Sequence, residues 1–303
     1  MSLVVNHNMM AANTARHLNA AYGRLSTSTQ RLSSGLRINT AADDAAGLAI
    51  RELQRADIST LKQGARNAND AISLIQTADG GLQVIDEKLI RMKELAEQAA
   101  TGTYDSTQRL MIESEYQAMA SEITRIANAT DFNGIYLLNG NLSGTEHDGT
   151  GMVSKGKMKV HFGTGNDSAE DYYYIQIGNS TASALGLGNN AARNADGSYK
   201  YAGATISTQS AAQHALDAIN AAIISKDKIR ANLGAIQNRL ENTISNLNIQ
   251  AENLQAAESR ISDVDVATEM TEFVRNQILT QSAVAMLSQA NSLPKMAMQL
   301  IGG

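Results

Sequence analysis

Two adjacent carboxylates, Asp43 and Asp44, stand in the stretch RLSSGLRINTAADDAAGLAI, residues 31–50, and are the first candidates for chemistry. Neighbouring acids can act as general acid and base or hold a cation. That requires a desolvated setting and a convergent His, Lys or metal. The nearest imidazole in sequence is His17, on a different helical stretch with no motif around it. The same letters also fit a helix start. Thr40-Ala41-Ala42-Asp43 has the T-x-x-D form, in which Thr40 caps a backbone N–H and the acids favour the positive helix end. The structural reading explains more of the stretch, and it predicts that a helix begins at Thr40 to Asp44.

The remaining reactive residue types form no pattern. Histidines 7, 17, 147, 161 and 214 show no metal-ligand spacing, and H-E-x-x-H is absent. Neither His147 nor His161 has a partner four residues on. There is no phosphate loop, nucleophile elbow or dinucleotide fingerprint, and Asn179-Ser180-Thr181 is a chance-level glycosylation match in a polar segment. Cysteine is absent, which removes disulfides, thiolate metal sites and thiol nucleophiles. The sequence therefore predicts neither catalysis nor a cofactor.

The elements that carry these residues are read from periodicity. Tryptophan is absent and aromatics are 4% against 43% hydrophobic, so the apolar content is mostly Ala, Leu, Ile and Met. Such small and aliphatic residues suit closely packed helices. Leu18, Leu25 and Leu32 are spaced by seven, and Ile75, Ala78, Leu82, Ile85, Leu89, Met92, Ala96 and Ala99 alternate steps of three and four. Leu233, Leu240, Leu247, Leu254 and Ile261 repeat every seven residues, about 42 Å of helix. Positions three further on, Ile236, Thr243, Gln250 and Ala257, make that seam partly polar. An amphipathic helix of a globular bundle would show part of this pattern, but strict sevens over four heptads favour an elongated antiparallel bundle. Another helix is expected over 106–129, before the turn-rich TDFNG.

Twelve of the 23 glycines lie between Gly140 and Gly203. Within that segment MKVHFG and YYYIQIG are short runs, and Met158, Val160 and Phe162 alternate with period two. A β-hairpin near 158–178 follows. Residues 188–205 read as loop. The fold class is mainly α: a helical bundle or coiled coil with a small β-hairpin region.

Charge suggests how the ends meet. The net charge of −5 predicts no general affinity for nucleic acid or anionic lipid. Residues 1–40 hold Arg16, Arg24, Arg31 and Arg37 with no acid, whereas 263–303 hold Asp263, Asp265, Glu269 and Glu272 against Arg275 and Lys295. The N- and C-terminal helices should pair. In the last forty residues Val264, Val266, Met270, Phe273, Val274, Ile278, Leu279, Val284, Met286, Leu287 and Leu293 cover most of a helix surface. Such a helix inserts into its own chain's core or is covered by other subunits, ordering only in the assembly. The start MSLVVNHNMM lacks the basic region of a secretory signal peptide, and no run approaches a membrane span. By ordinary export signals alone the chain would be cytoplasmic.

Taken in order, RLSSGLRINTAADDAAGLAI, GARNANDAISLIQTADGGL, DFNGIYLLNG, LGAIQNRLENTISNL, AENLQAAESRISDVDVATEM and QILTQSAVAMLSQANSLP resemble bacterial flagellin. The likeness runs almost end to end and is weakest between residues 141 and 205. It implies a subunit of an extracellular helical filament used for motility, exported unfolded through the flagellar type III channel without a cleaved peptide. That reverses the cytoplasmic expectation.

The resemblance assigns 1–43 with 263–303 to terminal helices lining an inner tube, disordered in the monomer. It assigns 44–187 with 206–262 to a helical core, and 188–205 to a short insert in place of outer domains. RLSSGLRINTAADDAAGLAI then becomes the joint between layers: Arg31 ends the inner helix, Gly35 permits a bend, and Thr40, Asp43 and Asp44 start the core helix. Assembly and core seams fall to Leu18, Leu25, Leu32, Leu233, Leu240, Leu247, Leu254, Ile261, Phe273 and Ile278. The segment IRMKELAEQA resembles the family's site for Toll-like receptor 5, which carries Arg91, Glu94 and Leu95, with Glu115 on the next helix. Other implied partners are further copies of the chain, an export chaperone on the C-terminal helix, and the filament cap and hook-junction proteins. No nucleic acid or membrane insertion is implied. Two alternatives remain: a hook–filament junction protein, and a cytoplasmic signalling coiled coil, whose heptads the β-hairpin region would interrupt.

Overall fold

The computed structural model describes residues 8–149, 155–168, 170–188 and 203–301. Among these the chain forms five helices and three antiparallel strand pairs. Helix α1 (Met9–Ser34) begins where the Asn8 side chain accepts from the Ala11 N–H. It ends at Gly35, whose φ of 72° lets its N–H return to the Arg31 carbonyl at 2.8 Å. Helix α2 (Ala45–Ala100) starts at a different residue from the expected one. Asp44, not Thr40, is its cap: Asp44 Oδ1 accepts from the Gly47 N–H at 2.9 Å. Thr40 instead donates its backbone N–H and its hydroxyl to Asp43. The letters D-x-x-G compete with T-x-x-D over the same turn, and the later start prevails.

Helix α3 (Ser106–Ala129) opens on a reciprocal capping box between Asp105 and Gln108, occupying the span that periodicity gives. TDFNG then folds as a hairpin. Strands β1 (Asp131–Phe132) and β2 (Ile135–Tyr136) flank Asn133 and Gly134, with φ of 51° and 79°, the positive values that a tight two-residue turn requires. A pair that sequence reading did not anticipate joins β3 (His147–Asp148) to β4 (Lys155–Gly156). The expected hairpin is β5 (Met158–His161) with β6 (Tyr172–Ile175), in register Met158 to Ile175 and His161 to Tyr172. Helices α4 (Gln209–Ser262) and α5 (Val266–Ile301) complete the chain. Of residues 188–205, expected to be a short insert, 189–202 lie outside the described residues, as do Gly302 and Gly303.

The chain divides into two compact units, one of Met1–Ile58 with Glu252–Gly303, the other of Ser59–Ala251. The second holds the large apolar core. All eight residues of the Ile75-to-Ala99 seam are buried there with Tyr116 and Ile123 of α3 and Leu233 and Leu240 of α4. Leu247 is buried as well, and Leu254 and Ile261, in the first unit, are half-buried.

Two helices of that second unit clamp the β5–β6 hairpin. On α2, Asn67 Nδ2 donates to the His161 carbonyl at 2.9 Å, and a Cβ at Gly64 would run into the Phe162 backbone. On α4, the Arg239 guanidinium lies 3.6 Å over the Tyr173 ring, which also packs on Phe162. Val160 and Phe162 are buried and Met158 is half-buried, as the period-two reading predicts.

Candidate assembly surface

The joint after α1 sits within the first unit. The Arg37 N–H donates to the Ser262 carbonyl at 2.6 Å and the Val264 N–H to the Gly35 carbonyl at 3.0 Å, so the chain leaving α1 is tied to the turn between α4 and α5. Arg51, which motif reading passes over, is buried and donates to the Ile38 carbonyl at 2.8 Å. Its charge is met by Glu52 at 2.8 Å. Nothing in its spacing marks it, because the carbonyl it serves belongs to an irregular segment.

Asp43 and Asp44 are divided in their work. Asp43 accepts from the Thr40 and Asn39 backbone N–H groups and the Thr40 hydroxyl. The Thr40 and Asn39 N–H groups, with the Thr40 hydroxyl, hold its carboxyl below the usual range, with a smaller pull from Arg31. A general acid at neutral pH needs the opposite shift. Asp44 is engaged as the α2 cap. Among the described residues no group of three His, Cys, Asp or Glu side chains could hold a metal ion.

Helices α1 and α5 pack on each other antiparallel. Asn8 Nδ2 donates to the Ala290 carbonyl at 2.8 Å at one end, and Arg31 lies 3.6 Å from Glu269 at the other. The side chains closed between them are small or polar: Ala21 and Ser28 on α1, with Glu269, Asn276, Thr280 and Ala290 on α5. Leu18, Leu25, Leu32 and Phe273 are half-buried. The apolar residues of α5 point elsewhere. Val266, Met270, Val274 and Ile278, four apart, are 45–58% exposed, and Leu279, Val284 and Met286 are exposed as well. A helix apolar on all sides has no preferred inward face, so its small and polar residues meet α1 and its large ones stay on the surface. These seven side chains are already about half-buried, so covering what remains exposed would be worth about 5–10 kcal/mol, a large share of the stability of a domain. The described helices include none long and apolar enough to cross a membrane.

The segment IRMKELAEQA forms a separate surface in the second unit. Arg91 Nε and Nη2 donate to Glu115 Oε1 at 2.9 and 2.8 Å, and Nη1 donates to Glu94 Oε2 at 2.9 Å. Glu115 first, then Glu94, raises the Arg91 pKa. The structure thus brings Arg91, Glu94 and Glu115 into one exposed cluster joining α2 to α3. Leu95 is not part of it: at 2% exposure it is sealed in the chain's own core, one turn along the helix from Arg91.

Paired terminal helices with an outward apolar surface, in a chain that also carries a helical core with a small hairpin, define a structural helical protein. The bacterial flagellin N-terminal helical region matches residues 5–143 and the C-terminal helical region matches 216–301. The chain is 41% identical to Flagellin FlaB1 of Treponema pallidum over 290 residues, 96% of each chain. It is also 41% identical to a flagellin of Bacillus subtilis, covering 98% of this chain and 99% of that one. The Flagellar filament 33 kDa core protein of Treponema phagedenis is 40% identical, over 99% of this chain and all of that one. The chain belongs to the flagellin family.

Proposed function

We propose that this chain is the subunit of an extracellular flagellar filament used for motility, a homopolymer without catalysis. The observation that carries the reading is α5: Asn276 and Thr280 face α1 while Val266, Met270, Val274 and Ile278 face outward. That apolar surface requires a cover, and further copies of the chain supply it at every step of a helical polymer. In this reading the joint at Gly35, Thr40, Asp43 and Asp44 links an inner layer made of the chain ends to a second layer made of the helical core. The ends reach full order only in the polymer.

Export through the flagellar type III channel, with a chaperone on the C-terminal helix, keeps α5 covered before assembly. Cap and hook-junction proteins bound the filament. The Arg91–Glu94–Glu115 cluster is the contact for Toll-like receptor 5, with Leu95 supporting it from beneath.

Negative-stain microscopy of heat-dissociated and re-cooled protein tests the polymer. Filaments are expected from the full chain, and none from chains lacking 1–40 or 264–303, each of which should retain helical circular dichroism. Filaments from either truncation would overturn the assignment of assembly to the paired ends.

A further inference from the structure

The heptad series on α4 contains one position that breaks its chemistry. Stepping back by seven from Leu247, Leu240 and Leu233 reaches Lys226, then Ile219 and Ala212, which are buried apolar residues. Lys226 therefore stands where the seam calls for an aliphatic residue, and its side chain is 2% exposed. Its Nζ lies 2.5 Å from Asp86 Oδ1 on α2 and 2.8 Å from Asp227 Oδ1. One turn further along α4, Arg230 Nε meets Asp79 Oδ1 at 2.7 Å, and Nη2 meets Oδ2 at 3.2 Å. Asp79 and Asp86 are seven apart on α2, beside the seam residues Ala78 and Ile85.

A buried ion pair is a poor source of net stability, because desolvation offsets the attraction. What charged residues at a seam can do is fix register, since a slipped pairing leaves some of them facing an apolar or like-charged residue across the seam. The apolar seams of α2 and α4 do not fix register by themselves. Both repeat every seven residues, so sliding one along the other by a heptad again sets aliphatic side chains against aliphatic side chains. The charges distinguish the three cases. One slip brings Lys226 to Asp79 but sets Arg230 against Ile72 and Asp86 against Ile219. The other brings Arg230 to Asp86 but sets Lys226 against Lys93. Only the observed register satisfies all four groups.

We propose that Lys226 with Asp86, supported by Arg230 with Asp79, is the register lock of the antiparallel α2–α4 pair. The lock matters beyond the seam because the β5–β6 hairpin is held from both helices, by Gly64 and Asn67 on one and Arg239 on the other. A slip of seven residues, about 10 Å, would pull these clamps apart and unseat the hairpin.

Pulsed electron–electron resonance on the full-length chain tests this. The sequence has no cysteine, so nitroxide labels on Gln76→Cys and Asn220→Cys, both exposed positions, are the only ones present. The parent should give one narrow distance distribution. With Lys226→Met, which keeps the length and apolar stem of the side chain, a second population shifted by up to about 10 Å is expected while helical circular dichroism is retained. Lys226→Arg should restore the single population. An unshifted single population in Lys226→Met would overturn the proposal. If Lys226→Met does not fold, the near-isosteric Asp79→Asn/Asp86→Asn double variant takes its place with the same two outcomes.

Discussion

Asp43 spends its carboxylate on three donors from Asn39 and Thr40, and its acidity reports on that turn. Its folded pKa lies below the ordinary 3.8, chiefly through the backbone hydrogen bonds from Thr40 and Asn39. Asp265 is lowered in the same direction by the hydroxyl and N–H of Thr268 and the N–H of Ala267 at the start of α5. A group whose pKa is depressed on folding contributes stability that is fully present above its unfolded value and is lost as pH falls through its folded value. The joint should therefore hold at neutral pH and loosen only below about pH 4. Hydrogen exchange of the Asn39 and Thr40 amides measures this directly. Protection should fall across that window in the parent chain. In Asp43→Asn it should be lower at neutral pH and lack the acid step. Equal protection in both chains at pH 7 would show that the carboxylate does not hold the turn. Asp44→Ala acts on a separate bond, the cap on Gly47, and should cost about 1 kcal/mol in the melt of the first unit.

At the scale of elements, the helices and the hairpin follow from the periodicities, and the seam has unequal depth. Leu240 is fully buried, whereas Leu254, two heptads on, is half-buried. Leu240→Ala should lower stability by about 2–5 kcal/mol, read from denaturant unfolding, and Leu254→Ala by clearly less. Equal costs would mean that the two positions are equally enclosed. Gly64→Ala inserts a methyl where the Phe162 backbone lies, so it should raise exchange at Phe162 and Gly163 while leaving the helical signal intact.

These elements also show what a sequence can reveal. The span of α3 and the period-two hairpin are legible because their signals are local: a cap, a turn, an alternation. The start of α2 is less so, since Thr40 and Asp44 both offer capping geometry and only the course of the chain past Ile38 decides between them. Two further features are hidden. The inward turn of Asn276 and Thr280 leaves no trace in a helix that is apolar all round. The clustering of Arg91 with Glu115, which only the family resemblance groups in advance, depends on the packing of α3 against α2, and residue types alone do not separate exposed Arg91 from buried Leu95 four positions later.

For the whole molecule, a net charge of −5 and a broad apolar surface on α5 set opposing demands. Charge keeps free chains apart, and exposed Val266, Met270, Val274 and Ile278 draw them together once a matching surface is presented. Binding through such a surface should respond sharply to one buried charge and weakly to one lost methylene, because an unpaired carboxylate in an apolar contact costs far more than a small cavity. Ile278 is the apt position: at 56% exposure it contributes little to the fold of the single chain. Ile278→Asp should leave the thermal melt and circular dichroism of the free chain close to those of the parent. Elongation from filament seeds, followed by light scattering, should stop. Ile278→Val should elongate at nearly the parental rate. Normal elongation by Ile278→Asp would place the α5 surface in solvent in the polymer, and the apolar residues of that helix would then have no role in assembly.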